Sequence, residues 1–195
     1  MDAVQILRDI RVREANMLKL IALVSRKDKS VASAFFNYSF DVQERLRTFT
    51  ESMGVNLIDA FFENTCTVFK MTRPLSCIEN ENKSSKKAKF PDNVSDLTPQ
   101  GKFIHELRSE ERKILLLMRE LAVTSPDTMK NCCCLNEQEI RRFREISVDE
   151  LLELSFMQRQ GTIFRLKFDT KKLIEEFFAW LNEPIAVGLI LDKAV

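Results

Sequence analysis

The residues able to do chemistry in this chain are few and lack the spacing that chemistry needs. His105 is the single histidine. It sits beside Ile104 and Leu107 on a stretch with helical periodicity, which makes it an edge residue. A catalytic imidazole needs an orienting carboxylate and a nucleophile, and no pattern here supplies them. Cys132-Cys133-Cys134 is the most unusual run. A structural zinc would want four ligands, usually as two pairs separated by two to four residues. Three adjacent thiols do not have that spacing, and neither Cys66 nor Cys77 provides a second pair. The run is read as small apolar fillers at a helix end. The glycines, Gly54, Gly101, Gly161 and Gly188, lie too far apart to cradle a phosphate. The carboxylate pairs Glu110-Glu111 and Glu175-Glu176 are expected on solvated helix faces. The residues therefore predict no enzyme, no metal and no cofactor.

Two features point to binding. The closing helix carries Phe177, Phe178, Trp180 and Leu181, and the apolar run with Ile185 and Leu189 follows it. Uncovered patches of that size usually mark protein contacts, which makes these six the candidate partner-binding residues. The alternative is that this tail folds back over the first module. Separately, Arg141, Arg142 and Arg144, with Arg45 and Arg47 earlier, put a basic face on a helix. This is a candidate DNA-facing surface, with plain solvation as the alternative.

Composition sets the outer bounds. A length of 195 residues holds one or two domains, and 45% apolar residues supply a core. Charged residues make up 30%, yet the net charge is only +1. That near-neutrality argues against binding nucleic acid by charge alone, but not against a few DNA contacts made within a larger complex. With 4 Gly and 5 Pro, helices are favoured over a sandwich or barrel. No apolar run approaches the ~20 residues of a membrane span. No secretory signal is read at MDAVQILRDI, and five reduced thiols fit a cytoplasmic location.

The elements that would position these residues follow from periodicity and caps. Val4, Leu7, Ile10, Met17, Leu20, Ile21 and Val24 stripe a helix over about 3–26, and Arg26–Ser30 is a polar hinge. Ser30 caps a second helix through Phe35. Asp41 with Glu44 caps a third through Phe49, and 55–62 form a short fourth. Cys66–Met71 reads as extended. From 74 to 99 the composition turns to Asn, Ser, Lys, Asp and Pro, around Lys83-Ser-Ser-Lys-Lys-Ala-Lys89. This predicts a flexible polar and basic linker, read as a solvated tether with contact to DNA phosphates as the alternative. Ile104, Leu107, Ile114, Leu117, Met118 and Leu121 then stripe a long helix. Ser125-Pro126, Asn136 with Glu139, and Ser147 with Glu150 open three more. Thr162–Phe168 is extended, and a last helix runs through Leu173, Ile174, Phe177, Phe178 and Leu181.

That second series repeats the first. Laid at a constant offset of 94, residues 10–62 match 104–156 with identities at Lys19/Lys113, Leu23/Leu117, Asn37/Asn131, Arg47/Arg141, Phe49/Phe143, Glu51/Glu145 and Leu57/Leu151. One inserted residue later, Thr67–Met71 falls on Thr162–Leu166. Apolar positions coincide as well, so the chain reads as a duplicated module. The expected organisation is module 1 over 1–73, a linker over 74–99, and module 2 with an apolar C-terminal helix and tail over 100–195.

The module resembles FlhD, the partner subunit of the flagellar master transcriptional activator. The resemblance is carried by the Asp28-Lys29 hinge, Ala34 and Phe35, Leu135-Asn-Glu-Gln-Glu-Ile140, Leu151-Leu-Glu-Leu154 and Phe164-Arg-Leu-Lys-Phe-Asp-Thr170. It covers about 5–71 once and 102–175 again. It implies a mainly α protein of two similar small helical modules, each with a short extended segment, packed as an intramolecular pseudo-dimer. It also implies a non-catalytic co-activator that pairs with an FlhC-type DNA-binding subunit on promoter DNA, of the flagellar or conjugative-transfer type. An adaptor or anti-activator that sequesters such a partner is the alternative. Family members pair as homodimers, so a homo-oligomer is also open. The family's dimer-linking cysteine has no clear match, since only Cys66 lies near an extended segment.

Overall fold

The computed structural model describes residues 2–27, 39–64, 67, 69–78, 99–157, 162–167 and 170–181. These are mainly helical. In chain order they form α1 (Ala3–Lys27), α2 (Phe40–Asn64), β1 (Phe69–Met71), α3 (Pro99–Thr124), α4 (Pro126–Cys133), α5 (Glu137–Glu145), α6 (Val148–Met157), β2 (Phe164–Leu166) and α7 (Thr170–Leu181).

Local chemistry explains most of the boundaries. The Asp2 carboxylate accepts the Gln5 N–H at 2.8 Å, which caps α1. Pro99 and Pro126 open α3 and α4, where the missing N–H costs no helical bond. Cys134, at φ 56°, ends α4 in the left-handed region. Asn136 and Glu139 form the expected capping box on α5. Ser147 and Glu150 form another at α6: the Ser147 hydroxyl accepts the Glu150 N–H, and Glu150 accepts the Ser147 N–H.

Several expectations need correction. The helices expected at 41–49 and 55–62 are one continuous α2. Where the second half has Ser147 and Glu150 to restart a helix, Thr50–Val55 offers no Ser/Thr followed three residues later by Glu, and the helix runs through. Asp41 is inside α2 and ion-paired with Arg45 at 2.8 Å, and the cap is Ser39, whose hydroxyl accepts the Val42 N–H at 3.4 Å. The stretch assigned to the linker from residue 74 begins with a helical turn that buries Leu75 and Ile78. The helix expected after Ser30 and the remainder of the linker lie outside the described residues.

α1 packs along α3 and against α2; α5 and α6 pack on α3; α7 packs on α2. The core runs without interruption from Ile10, Met17, Leu18 and Ile21 of α1 to Leu107, Ile114, Leu115 and Leu121 of α3, and on to Phe143 and Ile146. Burial corrects the register of the repeat in this region. The positions that are buried in both long helices lie 97 apart: Ile10 and Leu107, Glu14 and Glu111, Met17 and Ile114, Leu18 and Leu115, Ile21 and Met118, Val24 and Leu121. The offset of 94 misaligns α1 and α3 by about one helical turn. A helix looks nearly the same after a turn, so apolar matching tolerates the slip.

The two extended segments pair antiparallel, with Phe69 opposite Leu166, Lys70 opposite Arg165 and Met71 opposite Phe164. Their flanks reach across reciprocally. The Thr72 N–H donates to the Ile163 carbonyl at 2.7 Å, and its hydroxyl donates to the Thr162 carbonyl at 3.3 Å. In the other direction, the Lys167 ammonium donates to the Thr67 hydroxyl at 2.6 Å and to the Cys132 carbonyl at 2.8 Å.

Candidate partner-binding surfaces

A two-stranded ribbon of three-residue strands has little stability of its own. Here each strand is anchored by a carboxylate from a long helix. Glu14, 2% exposed, accepts the Phe69 N–H at 3.1 Å. Glu111, 0% exposed, accepts the Ile163 N–H at 2.6 Å, and the Phe164 N–H also bonds to it. Arg108 Nη1 donates to Glu111 at 2.8 Å from the preceding turn. Burial pushes the Glu111 carboxyl up from its ordinary value, while Arg108 and the two strand N–H groups pull it down. The solvated face expected for Glu110-Glu111 is therefore wrong. Glu111 is core and Glu110 is nearly buried, because α3 lies between α1 on one side and α5 and α6 on the other and keeps little free circumference.

The cysteine run ends α4, as read from the sequence. Cys133 is buried, and burial raises its thiol to about 12; Cys134 is exposed and Cys132 half-buried. Among the described residues no group of three His, Cys, Asp or Glu side chains is placed to hold a metal ion. His105 is exposed on α3.

The aromatic set divides. Phe177, 0% exposed, stacks edge-on against Phe49 and Phe61 at ring-centroid distances of 5.0 Å each, and Trp180 packs against Phe61 at 5.6 Å. Phe177 and Trp180 are thus core residues joining α7 to α2, not a free partner-binding face. Helix α7 packs there because α2 offers the apolar partners Phe49 and Phe61; the tail after it lies outside the described residues. Phe178 is the exception at 48% exposed. The Leu181 side chain, Ile185 and Leu189 lie outside the described residues.

The basic set divides as well. In the first half the arginines face acids: Arg45 pairs with Asp41, and Arg47 lies between Glu44 and Glu51. In the second half Arg141 and Arg144 are exposed and Arg142 is half-buried. Arg141 and Arg142 line a cleft of about 470 Å³ with Gln138, Glu139, Glu145, Pro74 and Ser76. A second cleft, of about 300 Å³, lies between Asp41, Glu44, Arg45 and Thr48 of α2 and Ile174 and Phe178 of α7. The helix positions lining the two clefts again lie 97 apart: Asp41 and Gln138, Glu44 and Arg141, Arg45 and Arg142. In each case the second wall is the segment that follows the other half's strand. One groove carries Asp41, Glu44 and Arg45 with an exposed phenylalanine, and the other carries Arg141 and Arg142 with Glu139 and Glu145. This matching was not legible in the sequence, because the walls come from segments about 65 and 130 residues apart.

No helix among the described residues is long and apolar enough to cross a membrane. Compared with protein-family models, with curated proteins and with solved structures, the chain matches none.

Proposed function

We propose that this chain is a tandem pair of FlhD-like helical modules folded on each other as an intramolecular pseudo-dimer. In this reading it is a cytoplasmic, non-catalytic regulatory subunit that engages an FlhC-type DNA-binding partner and helps activate transcription. The observation that carries the pairing is the reciprocity across the ribbon. Thr72 reaches over Thr162 while Lys167 reaches over Thr67, and residues 67 and 162, like 72 and 167, occupy the same place in the repeat. An interface between like modules has this isologous form, in which each contact occurs twice with the roles exchanged. The two matched grooves then give a partner two related surfaces, one at Arg141 and Arg142 next to exposed Arg144 and the other at Phe178.

The test is co-expression with an FlhC-type subunit, the light-scattering mass of the complex, and a mobility shift on promoter DNA. A complex that retards DNA only when both chains are present supports the co-activator. A complex that forms but prevents the partner from binding DNA makes the chain an anti-activator. No complex at all refutes the partner assignment.

A further inference from the structure

The crossing of α1 and α3 carries a charge arrangement that the proposed function does not use. Arg13 and Glu110, 97 positions apart, occupy equivalent sites of the two long helices, and they face each other, with Nη1 to Oε2 at 3.6 Å. The next equivalent pair, Asn16 and Lys113, completes the cluster. Asn16 Nδ2 donates to Glu110 Oε2 at 3.3 Å, and Lys113 Nζ donates to Glu110 Oε1 at 2.6 Å. The Glu110 side chain is only 10% exposed and has three donors around one carboxylate.

In an isologous interface, a residue on the twofold axis meets its own copy. Arg13 would then meet a second Arg13 if first halves of two chains paired, and Glu110 a second Glu110 if second halves paired. Two guanidiniums facing each other, with Asn16 as the adjacent side chain, have no compensating carboxylate in this cluster. Two nearly buried carboxylates on one axis repel, and each has only lysine to offset it. Only the unlike pairing avoids setting two guanidiniums or two carboxylates against each other on the axis. We infer that Arg13 and Glu110 are specificity-determining residues that key the two halves of this chain to each other and against a like half of a second copy. This is discrimination by an introduced repulsion as much as by an attraction. Tethering adds to it, since both unlike halves are present at high effective concentration in one chain. The inference rests on the pairing of the halves and not on any role at DNA.

Two experiments on the full chain test it. In the first, N16C, K113C and the N16C/K113C double variant are treated with a short bis-maleimide, beside the parent chain treated identically; Arg13 and Glu110 stay intact in all of them. Asn16 and Lys113 line one cleft, so the double variant is expected to give an internally bridged species with the mass of one chain. The single variants are expected to give no more two-chain product than the parent. Two-chain product in which peptide mapping finds residue 16 joined to residue 16, or 113 to 113, would show like halves meeting and overturn the inference, as would a double variant in which 16 and 113 are not joined within one chain. The second experiment is a charge-reversal cycle, R13E, E110R and R13E/E110R, read by urea unfolding. Each reversal is expected to lower the folding equilibrium constant about tenfold, and the double reversal to recover to within about threefold of the parent. Additive losses would refute the keying. Either set can fail while a co-expressed partner still binds, so failure here is distinguishable from failure of the functional reading.

Discussion

Replacing Glu111 by alanine tests the account of how the ribbon is held. The substitution strands two strand N–H groups, those of Ile163 and Phe164, in a site with no solvent access. Each unsatisfied buried donor costs about 1–3 kcal/mol. It also leaves the Arg108 guanidinium, in a residue 8% exposed, without its 2.8 Å carboxylate, and removing one partner of a buried pair costs about 3–5 kcal/mol. These penalties overlap, since the local structure relaxes once for all three groups, so the sum overstates the loss. A net destabilisation of about 4–6 kcal/mol is expected, against a total stability of about 5–15 kcal/mol for a domain. Glu111→Gln keeps an acceptor oxygen for the strand and should lose about half as much. Urea unfolding followed by circular dichroism measures both, with exposed Glu153→Ala as a control expected within about 0.5 kcal/mol of the parent. A Glu111→Ala chain within about 1 kcal/mol of the parent would refute the anchoring role.

The same carboxylate fixes a pH dependence. Its folded value is raised, so its contribution to stability is complete below the ordinary carboxylate range and declines as the pH rises through the raised value. The stability difference between parent and Glu111→Gln should shift in that direction between acid and neutral pH, and a flat difference would contradict the burial effect. Phe177→Ala should cost about 3–5 kcal/mol by emptying the site shared with Phe49, Phe61 and Trp180, whereas Phe178→Ala should leave the melting temperature nearly unchanged and weaken partner capture. Arg141→Ala with Arg144→Ala should preserve the fold and flatten the salt dependence of DNA retention by the complex, read by mobility shift across ionic strengths. Cys133 should stay unlabelled by maleimide in the native chain at neutral pH while Cys77 and Cys134 react, as mapped by mass spectrometry.

Local signals in the sequence determined the helical class, the two extended segments and the capping boxes at Asn136 and Ser147. Each of these depends on residues within four positions of one another, so composition and spacing contain the physics. The internal similarity of the two halves was legible too, but not the offset at which burial matches along the long helices. The apolar pattern of α1 fits α3 almost as well one turn out, and only the burial of Glu14 and Glu111 selects the offset of 97. Tertiary structure alone decided the rest. A carboxylate on a long helix reads as solvated until strand N–H groups arrive from 52 or more residues away, two at Glu111 and that of Phe69 at Glu14. Phe177 and Trp180 read as an uncovered face until α2 brings Phe49 and Phe61 to them. Arg13 and Glu110 are ordinary surface charges in sequence, and become opposite faces of one contact only where the two long helices cross. Burial and charge pairing are properties of what the chain brings together, and distant encounters leave no periodic mark on the sequence.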